Sequence, residues 1–101
     1  KKILGGNAEE KDDTKDIQEL ILSGATVIDV RGKDEYASGH AKNAINVPLD
    51  TFGSIASVLP DKQAVIITCC ASGGRSSMAK RMLEDQGYTN IHNGGSWRAL
   101  P

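Results

Sequence analysis

The stretch that most limits what this chain can become is Ala64-Val65-Ile66-Ile67-Thr68-Cys69, followed by Cys70-Ala71-Ser72-Gly73-Gly74-Arg75-Ser76. The apolar, β-branched run predicts a buried strand. The small residues after it predict a tight loop, and residues 75–86 predict a helix stopped by Gly87. A strand that enters a helix through such a loop is how α/β domains build anion sites. Loop amides and the helix N-terminus point at one spot and favour negative charge there. Cys70 opens the loop and sits in that field, so its pKa is expected below the free value of about 8.5. A thiolate is a nucleophile, which makes Cys70 the candidate catalytic residue. Side chains alternate along a strand, so Cys69 is expected to point away into packing. A resolving thiol is its alternative role.

The rest of the chain supplies strands and helices in turn. Residues 1–12 are polar and read as a flexible arm. Asp13 or Thr14 is placed to cap a helix carrying Ile17, Leu20 and Ile21, with Gly24 as its stop. Thr26-Val27-Ile28-Asp29-Val30 predicts a strand. Asp34 to Ala37 predicts a helical turn ended by Gly39. Ala44-Ile45-Asn46-Val47-Pro48 predicts a short strand, which Pro48 ends. A second helix is expected from Asp50 or Thr51 through Val58, with Phe52 and Ile55 inward. Met78, Ala79, Met82 and Leu83 form an i, i+4 stripe expected in the core. Thr89 to His92 predicts a last strand, Gly94-Gly95 a turn, and Trp97 to Leu100 a short helix. This alternation predicts one α/β domain over 13–101, with a mainly parallel central sheet flanked by helices on both faces. Ligands of such sheets lie beyond the carboxyl ends of the strands, where Cys70 falls.

The totals exclude several classes. A net charge of −1 over 101 residues gives no basic surface for nucleic acid or a membrane. The 2 cysteines are adjacent, so they cannot cross-link distant segments. With 2 histidines and no spaced Cys/His cluster, a metal site is not expected. The cytoplasm is the expected compartment; because the chain begins at Lys1 and not Met, a processed, periplasmic form is the alternative.

Cys70-x-x-Gly73-x-Arg75-Ser76 resembles the active loop of the rhodanese family. Val27-Ile28-Asp29-Val30-Arg31, Glu35-Tyr36, Gly39-His40 and Ala44-Ile45-Asn46-Val47-Pro48 are similar to the first-half signature of that family. Gly87-Tyr88 and Gly94-Gly95 match its second half. The resemblance implies a sulfurtransferase. Sulfane sulfur would pass from thiosulfate, polysulfide or a similar anion onto Cys70 as a persulfide, and then to cyanide or a thiol, small or protein-borne. No cofactor is implied. The amides of Ala71, Ser72, Gly73, Gly74, Arg75 and Ser76 would cradle the anion, and the Arg75 guanidinium would add a charged fork. Cell-cycle phosphatases that share the fold hold one more residue between Cys and Arg. The four residues here are the short form, which goes with sulfur. A Cys-dependent phosphatase or arsenate reductase, or a non-catalytic sulfide-sensing or protein-binding module, is the alternative.

Other residues have plainer expected roles. Arg31 is read as the ion-pair partner of Glu35, with a place at the pocket mouth as the alternative. Ser72, Ser76 and Ser77 are placed to donate into the loop or to cap the helix, with capping the expected role of Ser76. Ala71 stands where many rhodaneses carry a basic residue. Asn43 stands where they carry a glycine, and Asn accepts a positive φ. His40 is expected to be a satisfied hydrogen-bonding residue, His92 to lie at the surface, and Trp97 to anchor packing.

Overall fold

Four parallel strands in the order β2-β1-β3-β4 form the sheet. The computed structural model describes residues 13–101, with side chains from residue 16 onward, so the arm at 1–12 and the capping side chains of Asp13 and Thr14 lie outside the described residues. The elements run α1 (Asp13–Leu22), β1 (Thr26–Asp29), α2 (Lys33–Ala37), β2 (Ile45–Asn46), a 3-10 segment (Leu49–Ser54), α3 (Ile55–Val58), β3 (Ile66–Cys70), α4 (Gly74–Asp85), β4 (Ile91–Ser96) and a final 3-10 turn (Trp97–Ala99). Among the described residues, no helix is long and apolar enough to cross a membrane.

Strand alternation divides the core in two. Ile28, Val30, Ile66 and Cys70 face one way and pack with Phe52, Ile55, Ala79, Leu83 and Tyr88. Val27, Ile67 and Cys69 face the other way and pack with Ile17, Ala41 and Ala44. Ile28, Ile66 and Ile67 are fully buried. Covering each contributes about 1.5–3 kcal/mol against exposure. Helices therefore cover both faces. Because the strands are parallel, Asp29, Asn46, Cys70 and Ser96 end at the same edge of the sheet.

Three elements differ from the sequence expectation. The second helix is a 3-10 segment up to Ser54 and α-helical only over Ile55–Val58. The helix-poor residues Asp50, Thr51 and Gly53 account for the tighter first part. Met78 is exposed, while Ala79 and Leu83 are buried and Met82 packs at the core margin. Gly94 and Gly95 do not end the last strand but continue it to Ser96. A Cβ on Gly94 would come within 2.8 Å of the Ile67 side chain, so close strand packing, not turning, is what that glycine permits. Asn43 has φ +64, the left-handed turn its side chain accepts.

Candidate active site

Cys70 is the last residue of β3 and is 1% exposed. Core residues cover one side of its sulfur, and the loop covers the other. Gly73 has φ +107, a conformation costly to any residue with a Cβ. That turn points the Gly73 amide back at Cys70 Sγ, 2.9 Å away. Ser76, on the first turn of α4, places its Oγ 3.6 Å from the same sulfur. Ala71, Ser72 and Gly74 form the exposed outer side of the loop. Burial by itself pushes the Cys70 thiol up. The Ser76 side chain and the amides of Ser76, Gly73 and Ser72 more than offset it, and its pKa falls below the ordinary thiol value.

Ser76 is not the helix cap. That position belongs to Gly73, and no side chain caps the helix there. Ser76 is instead fully buried, its hydroxyl bonded to Asn93 Oδ1 at 2.6 Å and lying 3.0 Å from the Gly73 carbonyl. Thr68 Oγ1 donates to the Ser76 carbonyl at 2.9 Å. Thr68 and Asn93 are register partners on β3 and β4, so the two strands grip one serine from a shared face. Sequence reasoning passed over both residues. The signal for Asn93 was a polar side chain just before Gly94-Gly95, one period-2 step from buried Ile91.

The two arginines also differ from expectation. Arg31 pairs with Asp29, not Glu35, through contacts of 2.8–3.1 Å, and donates to the Gly39 carbonyl. Residues two apart on extended chain share a face, which puts Asp29 closer than Glu35. The Arg31 guanidinium also lies 4.7 Å from the Trp97 ring centroid, on the Cys69 side of the sheet. Trp97 packs against the Cys69 cluster and serves as a packing anchor. Glu35 binds Arg75 in a fork, Oε1 at 2.7 Å and Oε2 at 3.0 Å. With Arg75 and the Gly32 amide as donors, the Glu35 carboxyl is lowered to about 2. Glu35 therefore engages the Arg75 guanidinium, whose charge still acts on Cys70. His40 Nδ1 donates to the Tyr36 carbonyl, and the ring stacks on that of Tyr36. His92 is half-buried rather than a plain surface residue and meets Asn90. A depression of about 680 Å³ between α2 and the 3-10 segment is lined by Gly32, Glu35, Pro48 and Asp50 among others, and by no residue of the Cys70 loop.

Cys69 is fully buried on the opposite face, and burial together with the Asp29 charge pushes its thiol up to about 12. One strand thus holds a thiol whose pKa is raised beside one whose pKa is lowered.

The family model for the rhodanese-like domain matches residues 9–98. The chain belongs to the rhodanese family. Thiosulfate sulfurtransferase PspE of Escherichia coli strain K12 is 39% identical over 74 residues, 72% of this chain and 71% of PspE. Thiosulfate sulfurtransferase 16, chloroplastic, of Arabidopsis thaliana is 37% identical over 84 residues, 72% of this chain and 70% of its own. Among solved structures, a rhodanese with anions from E. coli superposes with a TM-score of 0.72 at 34% identity, covering 77% of this rhodanese and 95% of that chain.

Proposed function

We propose that this rhodanese domain moves sulfane sulfur from thiosulfate or a similar small anion, through a persulfide on Cys70, to cyanide or a thiol. The observation that carries the reading is the convergence of amides and the Ser76 side chain on Cys70 Sγ at the carboxyl edge of the sheet. The names of the two thiosulfate sulfurtransferases support the reaction class, and the anions of the E. coli rhodanese support an anionic donor. In the first half-reaction the Cys70 thiolate attacks the sulfane sulfur of thiosulfate. The S–S bond of the donor breaks, and sulfite leaves with the electron pair. Cyanide then attacks the outer sulfur of the persulfide, thiocyanate leaves, and the thiolate is restored. No general base is required once the thiolate exists. The loop amides stabilise the negative outer sulfur between the two halves. With Arg75 held by Glu35, these amides are the main anion donors.

Intact mass spectrometry tests the cycle. Incubation with thiosulfate is expected to add the mass of one sulfur atom, and cyanide to remove it with release of thiocyanate. A fully reduced protein that never gains that mass from thiosulfate, polysulfide or a thiol persulfide overturns the reading.

A further inference from the structure

The Ser76 hydroxyl carries one proton and has three neighbours that can use it. Asn93 Oδ1 is at 2.6 Å, the Gly73 carbonyl at 3.0 Å and Cys70 Sγ at 3.6 Å. The orientation of the Asn93 amide is fixed independently, because the Gly95 N–H donates to the same Oδ1 at 2.9 Å. An NH2 group there would face another donor. Two oxygens at 2.6 Å need a proton between them, and Oδ1 has none to give. The Ser76 proton is therefore committed to Asn93. That leaves the Ser76 lone pairs toward sulfur, where they accept from the Cys70 S–H. The wiring suits a neutral thiol. An anionic sulfur needs the opposite polarity, with the hydroxyl donating to it.

We infer that Asn93 is a positioning residue of the sulfur-transfer site: its amide oxygen holds the Ser76 proton while Cys70 is a thiol and yields it when the sulfur becomes anionic. Asn93 competes with the sulfur for one hydrogen and so opposes ionisation, although it belongs to a different strand. The inference rests on Cys70 being the nucleophile. The charges near that sulfur are few. Arg75 on α4 is held by Glu35 on α2, and the Asp29–Arg31 pair at the end of β1 lies on the far side with the protonated Cys69. On β4, Asn93 is exposed and lines a depression with His92, Lys80 of α4 and Asp16 of α1, the charged and titratable groups that face it. None of these groups changes in the variants below.

The test is the pH dependence of iodoacetamide alkylation at Cys70, read by site-mapped mass spectrometry. Asn93→Ala is expected to move the midpoint down by about half a pH unit or more, because the hydroxyl is then free to bond the thiolate. Ser76→Ala is expected to move it up. In a Ser76→Ala background, Asn93→Ala is expected to have no further effect, which a merely structural asparagine would not produce. A midpoint that is unmoved or raised in Asn93→Ala, or a shift that persists without Ser76, overturns the proposal. Cys69→Ser gives a second reading with Asn93 and Ser76 intact and only one thiol in the protein. At low pH its single Raman S–H band, that of Cys70, is expected at the lower frequency of a donating thiol, and a free-thiol frequency overturns the wiring. A Cys70 that shows the expected shifts in these variants yet forms no persulfide would instead count against the sulfur-transfer reading.

Discussion

On the α1 side of the sheet, Cys69 packs among Ile17, Val27 and Ala44 near the buried Asp29 carboxylate. On the α4 side, one residue later, Cys70 meets the Gly73 amide and the Ser76 hydroxyl. Both thiols are buried, Cys69 completely and Cys70 to 1% exposure. Burial therefore does not separate them. The difference lies in what each face offers a negative charge. The Cys69 face offers hydrocarbon and the Asp29 carboxylate, whose charge outweighs that of its partner Arg31, while the Cys70 face offers N–H and O–H donors. Peptide pleating alone assigns the two sulfurs to these two environments. Reactivity here is set by which way a side chain leaves the strand.

The largest expected effect breaks the pair outright. Cys70→Ser is expected to reduce thiosulfate:cyanide transfer to the uncatalysed rate, while Cys69→Ser keeps most of it. The opposite order of losses in a steady-state assay would reverse the assignment of the two faces.

The next prediction concerns stability on the Cys69 side. The Arg31–Asp29 pair is almost fully buried, with side chains 5% and 0% exposed. Arg31→Leu strands the carboxylate and is expected to cost about 3–5 kcal/mol in urea unfolding. Replacing Asp29 at the same time is expected to recover part of that loss.

A smaller effect is expected on the loop. Gly73→Ala forces a Cβ into a left-handed φ and tips the amide away from the sulfur. Turnover is expected to fall by about tenfold, the equivalent of the backbone strain. Unchanged turnover would mean that the Gly73 amide is not part of the cradle.

Titration separates the faces by sign. Above the ordinary thiol range the unfolded Cys69 loses its proton while the folded one keeps it up to about 12. The unfolded state then binds fewer protons, so Cys69 lowers stability as pH rises through that window. Cys70 acts in reverse, since its folded pKa is depressed: it adds stability as pH rises from its folded pKa to the ordinary thiol value. Cys69→Ala is expected to flatten the alkaline fall in the urea midpoint, and Cys70→Ala is not.

The smallest effect is at the rim. Glu35→Gln releases Arg75 toward incoming anions, and the KM for thiosulfate is expected to drop about threefold, as suits an exposed pair. Acid does not serve the same purpose, because Glu35 stays ionised down to about pH 2.

The layering and the loop were legible in the sequence because they follow from period and composition. Ile66-Ile67-Thr68 reads as a buried strand wherever it stands, and Gly73 marks a turn that other residues resist. What was missed depends on partners far apart in the chain. Ser76 carries the signature of a cap, and only the strand partners Thr68 and Asn93 turn it into a buried relay. Glu35 and Arg75 are 40 residues apart, so no local spacing could couple them. Met78 fits the helical stripe by count, yet it is exposed, because the buried stripe of that helix runs through Ser76, Ala79 and Leu83.

Between Thr68 and Cys70 the pairing slips: Thr68 stands opposite Asn93, but Cys70 stands opposite Ser96. The far strand thus spends an additional residue along the stretch that holds Gly94 and Gly95. An engineer wishing to retune Cys70 could leave its own loop untouched and shorten or lengthen that neighbouring stretch instead. Selection has the same handle, and divergence between members of such a lineage can be sought in a segment that never meets the sulfur.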